Sequence, residues 1–197
     1  MLFLLIGAAL AHADAPTSQP TTQPLDCSTP TAFMTSYDQL AGQDPPAYLA
    51  MYSLDDSDDA QRLAKVESTF DAQVGMLQKI VQQKWGDDGV DQMLHALGLR
   101  SLRDIQTSIV KEIGPRATVT FADGTPGPGL IKTKDGWRLD IPAFCKSLGM
   151  PVDDYLKQIR QLSKILPDVA DGIADGRLKD ASAVVSDIAK RINADAH

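Results

Sequence analysis

The sequence predicts an α+β domain, mostly helical, with a small antiparallel three-stranded meander packed on a long amphipathic helix. Three observations lead there. Apolar residues recur in steps of three and four through most of the body. Alternation with a period of two is confined to the stretch from Arg116 to Ile141. Glycine and proline punctuate each change of pattern. A chain of 197 residues with 43% hydrophobic content suits one core. The body, residues 31–195, is expected to be that single domain.

Leu2 to Leu10 is almost wholly apolar, and Ala11-His12-Ala13 follows it. An apolar core ending in small-x-small is what a signal peptidase reads, so residues 1–13 are expected to be a signal peptide cut after Ala13. A cut after Ala15 also fits the pattern but leaves Pro16 just past the scissile bond. A stable bilayer span takes about 20 apolar residues, so no membrane span is expected. The usual basic leader residues are missing, Arg62 being the first cation. Either the true start lies upstream or the free amino group supplies the charge. The other reading of the run is a buried N-terminal strand or helix. Residues 14–30, rich in Thr, Ser, Pro and Gln, read as a flexible spacer with too little apolar surface to offset its ordering entropy. The chain is thus expected to be exported, to a periplasmic, cell-surface or extracellular location.

Thr31 to Leu54 reads as two helical pieces broken near Gly42 and Pro45-Pro46. A long helix is expected from about Asp58 to Trp85, with Leu63, Val66, Phe70, Val74, Leu77, Val81 and Trp85 on one face, ended by Gly86. Val90, Met93, Leu94 and Leu97 mark a shorter helix closed by Gly98. Another starts at Ser101 and carries Leu102, Ile105, Ile109 and Ile113 inward as far as Gly114-Pro115.

Three strands follow, centred on Ala117–Phe121, Ile131–Lys134 and Trp137–Ile141. For the last hairpin, an Asp135-Gly136 loop would put Lys132 and Lys134 on the apolar face. A three-residue loop, Lys134-Asp135-Gly136, sets Thr133 opposite Trp137 and Ile131 opposite Leu139, and is preferred, with Gly136 left-handed. After Pro142 the chain returns to helix. Val152, Tyr155, Leu156, Ile159, Leu162, Ile165, Leu166, Val169 and Ile173 form a wide stripe, which Pro167 is expected to kink or split. Leu178, Ala181, Val184, Val185, Ile188 and Ile192 mark a last helix.

Net charge is −7, so nucleic-acid binding is not expected. The charge is uneven. Residues 26–91 hold twelve acids against four bases, while residues 100–146 hold five acids against eight bases. The basic middle reads as solvated surface charge, with an acidic ligand or partner as the other reading. Cys27 and Cys145 are the two cysteines, and in an oxidising compartment they form a candidate disulfide. A loop of that length would stabilise by about 4–5 kcal/mol in the chain-entropy model. The alternative is a buried Cys145 and a free Cys27.

No motif carries chemistry. Asp55-Asp56-Ser57-Asp58-Asp59 lacks the central glycine and distal glutamate of a Ca²⁺ loop, and reads as a helix N-terminus. Gly124 to Gly129 leads into a strand and holds two prolines without donors, so it reads as a strand connection and not a phosphate loop. His95 is the one histidine in the body, too little for a metal site or a catalytic triad. Aspartates are plentiful, but spacing alone nominates no catalytic pair. No catalytic residue, metal or cofactor is expected.

The hairpin Lys132-Thr133-Lys134-Asp135-Gly136-Trp137-Arg138-Leu139-Asp140 and the tail from Asp175 to Arg191 resemble exported bacterial domains related to the NTF2-like (SnoaL-like) superfamily. The resemblance covers about Ala32 to Ile192. It implies an α+β core in which a curved sheet wraps a long helix as a cup, sometimes for small apolar ligands or His/Asp acid–base chemistry. Here three strands are expected where a cup has more, and His95 matches no motif position. The expected function is therefore non-enzymatic, binding or structural, with an unknown protein or a small apolar ligand as partner. A pocket would lie between Val119, Ile131, Trp137 and Leu139 on the sheet and Phe70, Val74 and Leu77 on the helix. The alternatives are a small hydrolase or isomerase on an NTF2-like cup, and a helical interaction module at the cell surface using the acidic N-terminal half.

Overall fold

A computed structural model describes residues 7–8, 25–37, 48–53, 57–147 and 149–194. Within them the chain is α+β and mostly helical, as its periodicity predicts. The two-residue strand β1 (Gly7–Ala8) pairs in parallel with β2 (Arg100–Ser101). A cut after Ala13 would release β1, which is no part of the main sheet. The rest of the expected signal peptide, and residues 14–24 of the expected spacer, lie outside the described residues.

The end of the expected spacer is built into the fold. Leu25 and Cys27 pack against the core, because Leu-Asp-Cys interrupts the polar composition with side chains worth burying. Thr29 then caps α1 (Pro30–Tyr37), its Oγ1 accepting the Ala32 N–H at 3.0 Å, with Pro30 at the first helical position.

The long helix α2 (Ser57–Ala96) is two limbs in series. Gly86 (φ 74°, ψ −173°) leaves helical geometry between them, where the sequence places a stop. Leu63, Val66, Phe70, Val74, Leu77 and Val81 of the first limb are buried, as are Val90, Met93 and Leu94 of the second. Gly98 closes α2 at positive φ. Its N–H donates to the His95 carbonyl at 3.0 Å, and the Leu99 N–H to the Leu94 carbonyl at 2.8 Å, so two otherwise orphaned carbonyls are satisfied.

A short helix, α3 (Leu102–Gln106), ends well before Ile113, and here the structure corrects the sequence reading. Ile109–Ile113 is a strand, β3, and not the end of a helix. Ile109 and Ile113, expected inside, are 68% and 59% exposed. Gly114 (φ 61°) opens a two-residue turn with Pro115, which sets Ile113 opposite Arg116 and pulls the β-branched run into a hairpin. The sheet is therefore a four-stranded antiparallel meander rather than three-stranded. Its order is β3, β4 (Arg116–Thr120), β5 (Leu130–Thr133), β6 (Gly136–Leu139).

The last hairpin has a two-residue loop, Lys134-Asp135, in place of the expected three. Leu130 faces Leu139, Lys132 faces Trp137, and Ile131 turns to the other face against Arg138. The buried Leu130–Leu139 pair decides the register. Lys132 is tolerated beside Trp137 because its ammonium lies 5.9 Å from the ring centroid, while its stem covers apolar surface. Gly136 is left-handed as expected (φ 105°), and a second constraint also fixes it. The Cys27 carbonyl oxygen accepts the Trp137 N–H at 2.9 Å, and a Cβ at Gly136 would fall 2.5 Å from that oxygen.

Asp140 caps α4 (Ile141–Ser147), its Oδ1 accepting the Ala143 N–H at 3.1 Å. α5 (Val152–Ala174) is one helix through Pro167, so the proline does not split it. Its stripe, Tyr155, Leu156, Ile159, Leu162, Ile165, Leu166, Val169 and Ile173, is buried as the periodicity predicts. Val184 and Ile188 anchor α6 (Ala181–Ala194). α2, α5 and α6 pack together, and one continuous core joins them to the inner face of the sheet.

Two glycines should respond oppositely to alanine in urea unfolding. Gly136→Ala is expected to lower stability by about 1–3 kcal/mol, through positive φ and the Cys27 contact. Gly75→Ala in α2, where an added Cβ meets nothing within 4 Å, should raise it by about 0.5–1 kcal/mol. A Gly136→Ala variant as stable as the parent would contradict the docking of Cys27 on β6.

Candidate functional site

Two buried carboxylates sit on the core face of α2, one turn apart. Glu67 is 2% exposed and Asp71 is 4% exposed. Each is met by a tyrosine from the segment Tyr48–Ser53, which repeats the same four-residue step. The Tyr48 hydroxyl donates to Asp71 Oδ2 at 2.8 Å, and the Tyr52 hydroxyl donates to Glu67 Oε2. From the opposite side, the Tyr155 hydroxyl of α5 donates to Glu67 Oε1 at 3.1 Å. Both Glu67 oxygens are thus held, each by a different part of the chain.

The backbone explains why Tyr52 is in reach. Its segment runs alongside β6: the Leu139 N–H donates to the Met51 carbonyl at 2.6 Å, and the Ser53 N–H to the Leu139 carbonyl at 3.0 Å. Tyr155 is set by the α5 stripe and by Phe144 of α4, whose ring meets it edge-on at 6.0 Å. Cys145 lies next in α4, close enough for the Glu67 charge to act on its thiol.

Burial governs the chemistry of this cluster. It pushes the Glu67 carboxyl up to about 7, although both tyrosine hydroxyls oppose the shift by favouring the charged form. Burial also pushes the Cys145 thiol up to about 11, with the Glu67 charge adding to the effect. That thiol is the neutral, inert form. A carboxyl titrating near neutrality beside two phenols has the makings of an acid–base centre, but both acids face the core.

The residues singled out in the sequence are not brought together. Cys27 and Cys145 are separate thiols, the first half-buried against the β6 hairpin and the second in the core. Burial raises the Cys27 thiol, with Arg138 opposing. His95 is exposed in the last turn of α2. Ser57 opens α2 and Asp58 lies in its first turn, so this part of the acidic cluster marks a helix N-terminus; Asp55 and Asp56 lie outside the described residues. Gly124–Gly129 connects β4 to β5. Among the described residues no three His, Cys, Asp or Glu side chains converge to hold a metal ion. Val119, Trp137, Leu139, Phe70, Val74 and Leu77, the expected pocket walls, are all buried members of the one core, while Ile131 faces away from it.

A second feature lies on the opposite side of the sheet. β3 is an outer strand and, among the described residues, pairs only with β4. Ile109, Lys111 and Ile113 share its outward face with Thr120, Thr118 and Arg116 of β4, which stand opposite them. The other outer strand, β6, is covered by residues 25–27 and 48–53.

No protein-family model, curated protein or solved structure matches this chain.

No described helix is long and apolar enough to cross a membrane.

Glu67 makes stability depend on pH. The folded carboxyl titrates near 7 against an unfolded value of 4.5, so the folded state binds more protons between these limits. The contribution is fully present below pH 4.5 and is lost as pH rises through 7, by about 3 kcal/mol. Glu67→Gln should flatten this slope and raise stability above pH 7 relative to the parent. Parallel pH–stability curves for the two proteins would show that Glu67 does not titrate in this window.

Proposed function

We propose that this chain is an exported, non-enzymatic binding domain that engages a protein partner along the open β3 strand. One observation carries the reading: Ile109 and Ile113 stand 68% and 59% exposed on an outer strand that, among the described residues, pairs only with β4. Such a strand offers unpaired backbone donors and acceptors to another extended segment, and proteins ordinarily cover or blunt it. The core beneath supports a scaffold role, since the residues expected to wall a pocket are, apart from Ile131, buried members of one continuous cluster. The Lys132–Asp140 hairpin resembles NTF2-like domains in sequence, and the apolar leader with its Ala11-His12-Ala13 site supports export.

The second reading is a hydrolase or isomerase using Glu67 as general base, favoured by its titration near 7 and its two phenol partners. Burial weighs against it, because a reacting atom must come within hydrogen-bond reach of the base.

A photo-crosslinking amino acid at Ile109 or Ile113, in the producing cells, tests the proposal. Crosslinks from these two sites to a protein, on a chain whose mature N-terminus is Asp14, are expected, with none from exposed Lys157 on α5. Equal yields from all three sites would contradict the docking strand. Exported material beginning at Met1 would contradict cleavage.

A further inference from the structure

Lys111 stands between Ile109 and Ile113 on the outward face of β3, and it has no carboxylate partner among the described residues. Arg116, opposite Ile113, stands on the same face with its guanidinium 3.7 Å from the Asp140 carboxylate, which leaves Lys111, among the described residues, as the unpaired cation of the row. No acid stands on this face of the hairpin; Glu112 alternates to the other side with Val110. An apolar–cationic–apolar row on an open strand is thus displayed by a chain of net charge −7.

A second copy of the chain fits this row poorly. Two-fold antiparallel pairing keeps both outward faces on one side, so only residues of like parity oppose each other. Centred on Lys111, that pairing sets the lysine against its own copy. Centred on Val110 or Glu112, it sets an isoleucine against Lys111, and the second register also opposes Glu112 to itself. Like charges directly opposite destabilise a strand pair, whereas opposite charges and apolar pairs stabilise it.

Resting on the docking reading above, we infer that β3 receives an extended partner segment of pattern apolar-x-acidic-x-apolar, with its carboxylate opposite Lys111 and its apolar side chains on Ile109 and Ile113. The basic side of the sheet steers an acidic segment toward this edge. Added salt should weaken the contact.

The test uses the full chain, isotope-labelled, and an end-capped peptide Thr-Ile-Thr-Glu-Thr-Ile-Thr, with a second peptide carrying Lys in place of Glu. The Glu peptide should shift the amide signals of residues 109–113 and bind about tenfold more tightly than the Lys peptide. Lys111→Glu, at an exposed strand position, should reverse that order. Equal affinity for the two peptides, absence of binding, or shifts centred elsewhere would overturn the inference. So would a concentration-dependent dimer of the free protein that broadens the same signals, because it assigns the strand to a second copy. In-cell crosslinks from Ile109 and Ile113 without peptide discrimination would overturn only the partner chemistry. Absence of those crosslinks would remove the docking reading itself.

Discussion

The fold turns on the burial of Glu67. One carboxyl group, drawn almost completely out of water, is held by Tyr52 from the segment along β6 and by Tyr155 from α5. It therefore joins the long helix to the sheet edge and to the second major helix at a single point. Leaving such a group unpaired in the core would cost several kcal/mol, so the two tyrosines are obligatory partners. Tyr48 and Asp71 repeat the arrangement one turn on. The result is a polar seam inside an apolar core, which fixes the register of residues 48–53 against both α2 and β6 more specifically than hydrophobic contact alone would.

That seam also accounts for the asymmetry of the sheet. On the β6 side, backbone groups are taken up by Cys27, Met51 and Ser53, and Gly136 leaves room for the approach. On the β3 side nothing comparable is described, and the strand presents two isoleucines and a lysine to solvent. Among the described residues, the same sheet thus has one edge closed by its own chain, while β3 at the other pairs only with β4. The closed edge lies over the buried acids, and the open edge carries the basic charge that the charge distribution along the sequence already sets apart.

Much of this was legible in the sequence, for reasons that differ by element. The stripes of α2 and α5 are long, and their burial follows the helical period residue by residue. β3 was not legible, because Ile105, Ile109 and Ile113 recur every four residues and a helix explains them as well as a hairpin does. The turn at Gly114-Pro115 decides for the hairpin only once β4 is there to pair with. The register of the last hairpin is not legible from polarity, because polarity argues against a lysine opposite Trp137, whereas the indole face accepts Lys132. The carboxylate cluster carries a signal of its own in the sequence. Glu67 and Asp71 lie on the same helical face as Leu63, Phe70 and Val74, and acids inside an apolar stripe call for buried partners. What no local pattern supplies is the identity of those partners, since Tyr52 and Tyr155 are distant in sequence and meet Glu67 only through the tertiary fold.

Glu67 is a buried carboxyl whose two oxygens are held by Tyr52 and Tyr155. The decisive measurement follows its side-chain carboxyl carbon by NMR across a pH titration of the folded protein. The expected midpoint is displaced from 4.5 to about 7, with the Tyr52 and Tyr155 ring signals changing in step. A midpoint near 4.5, or ring signals indifferent to the titration, would contradict it.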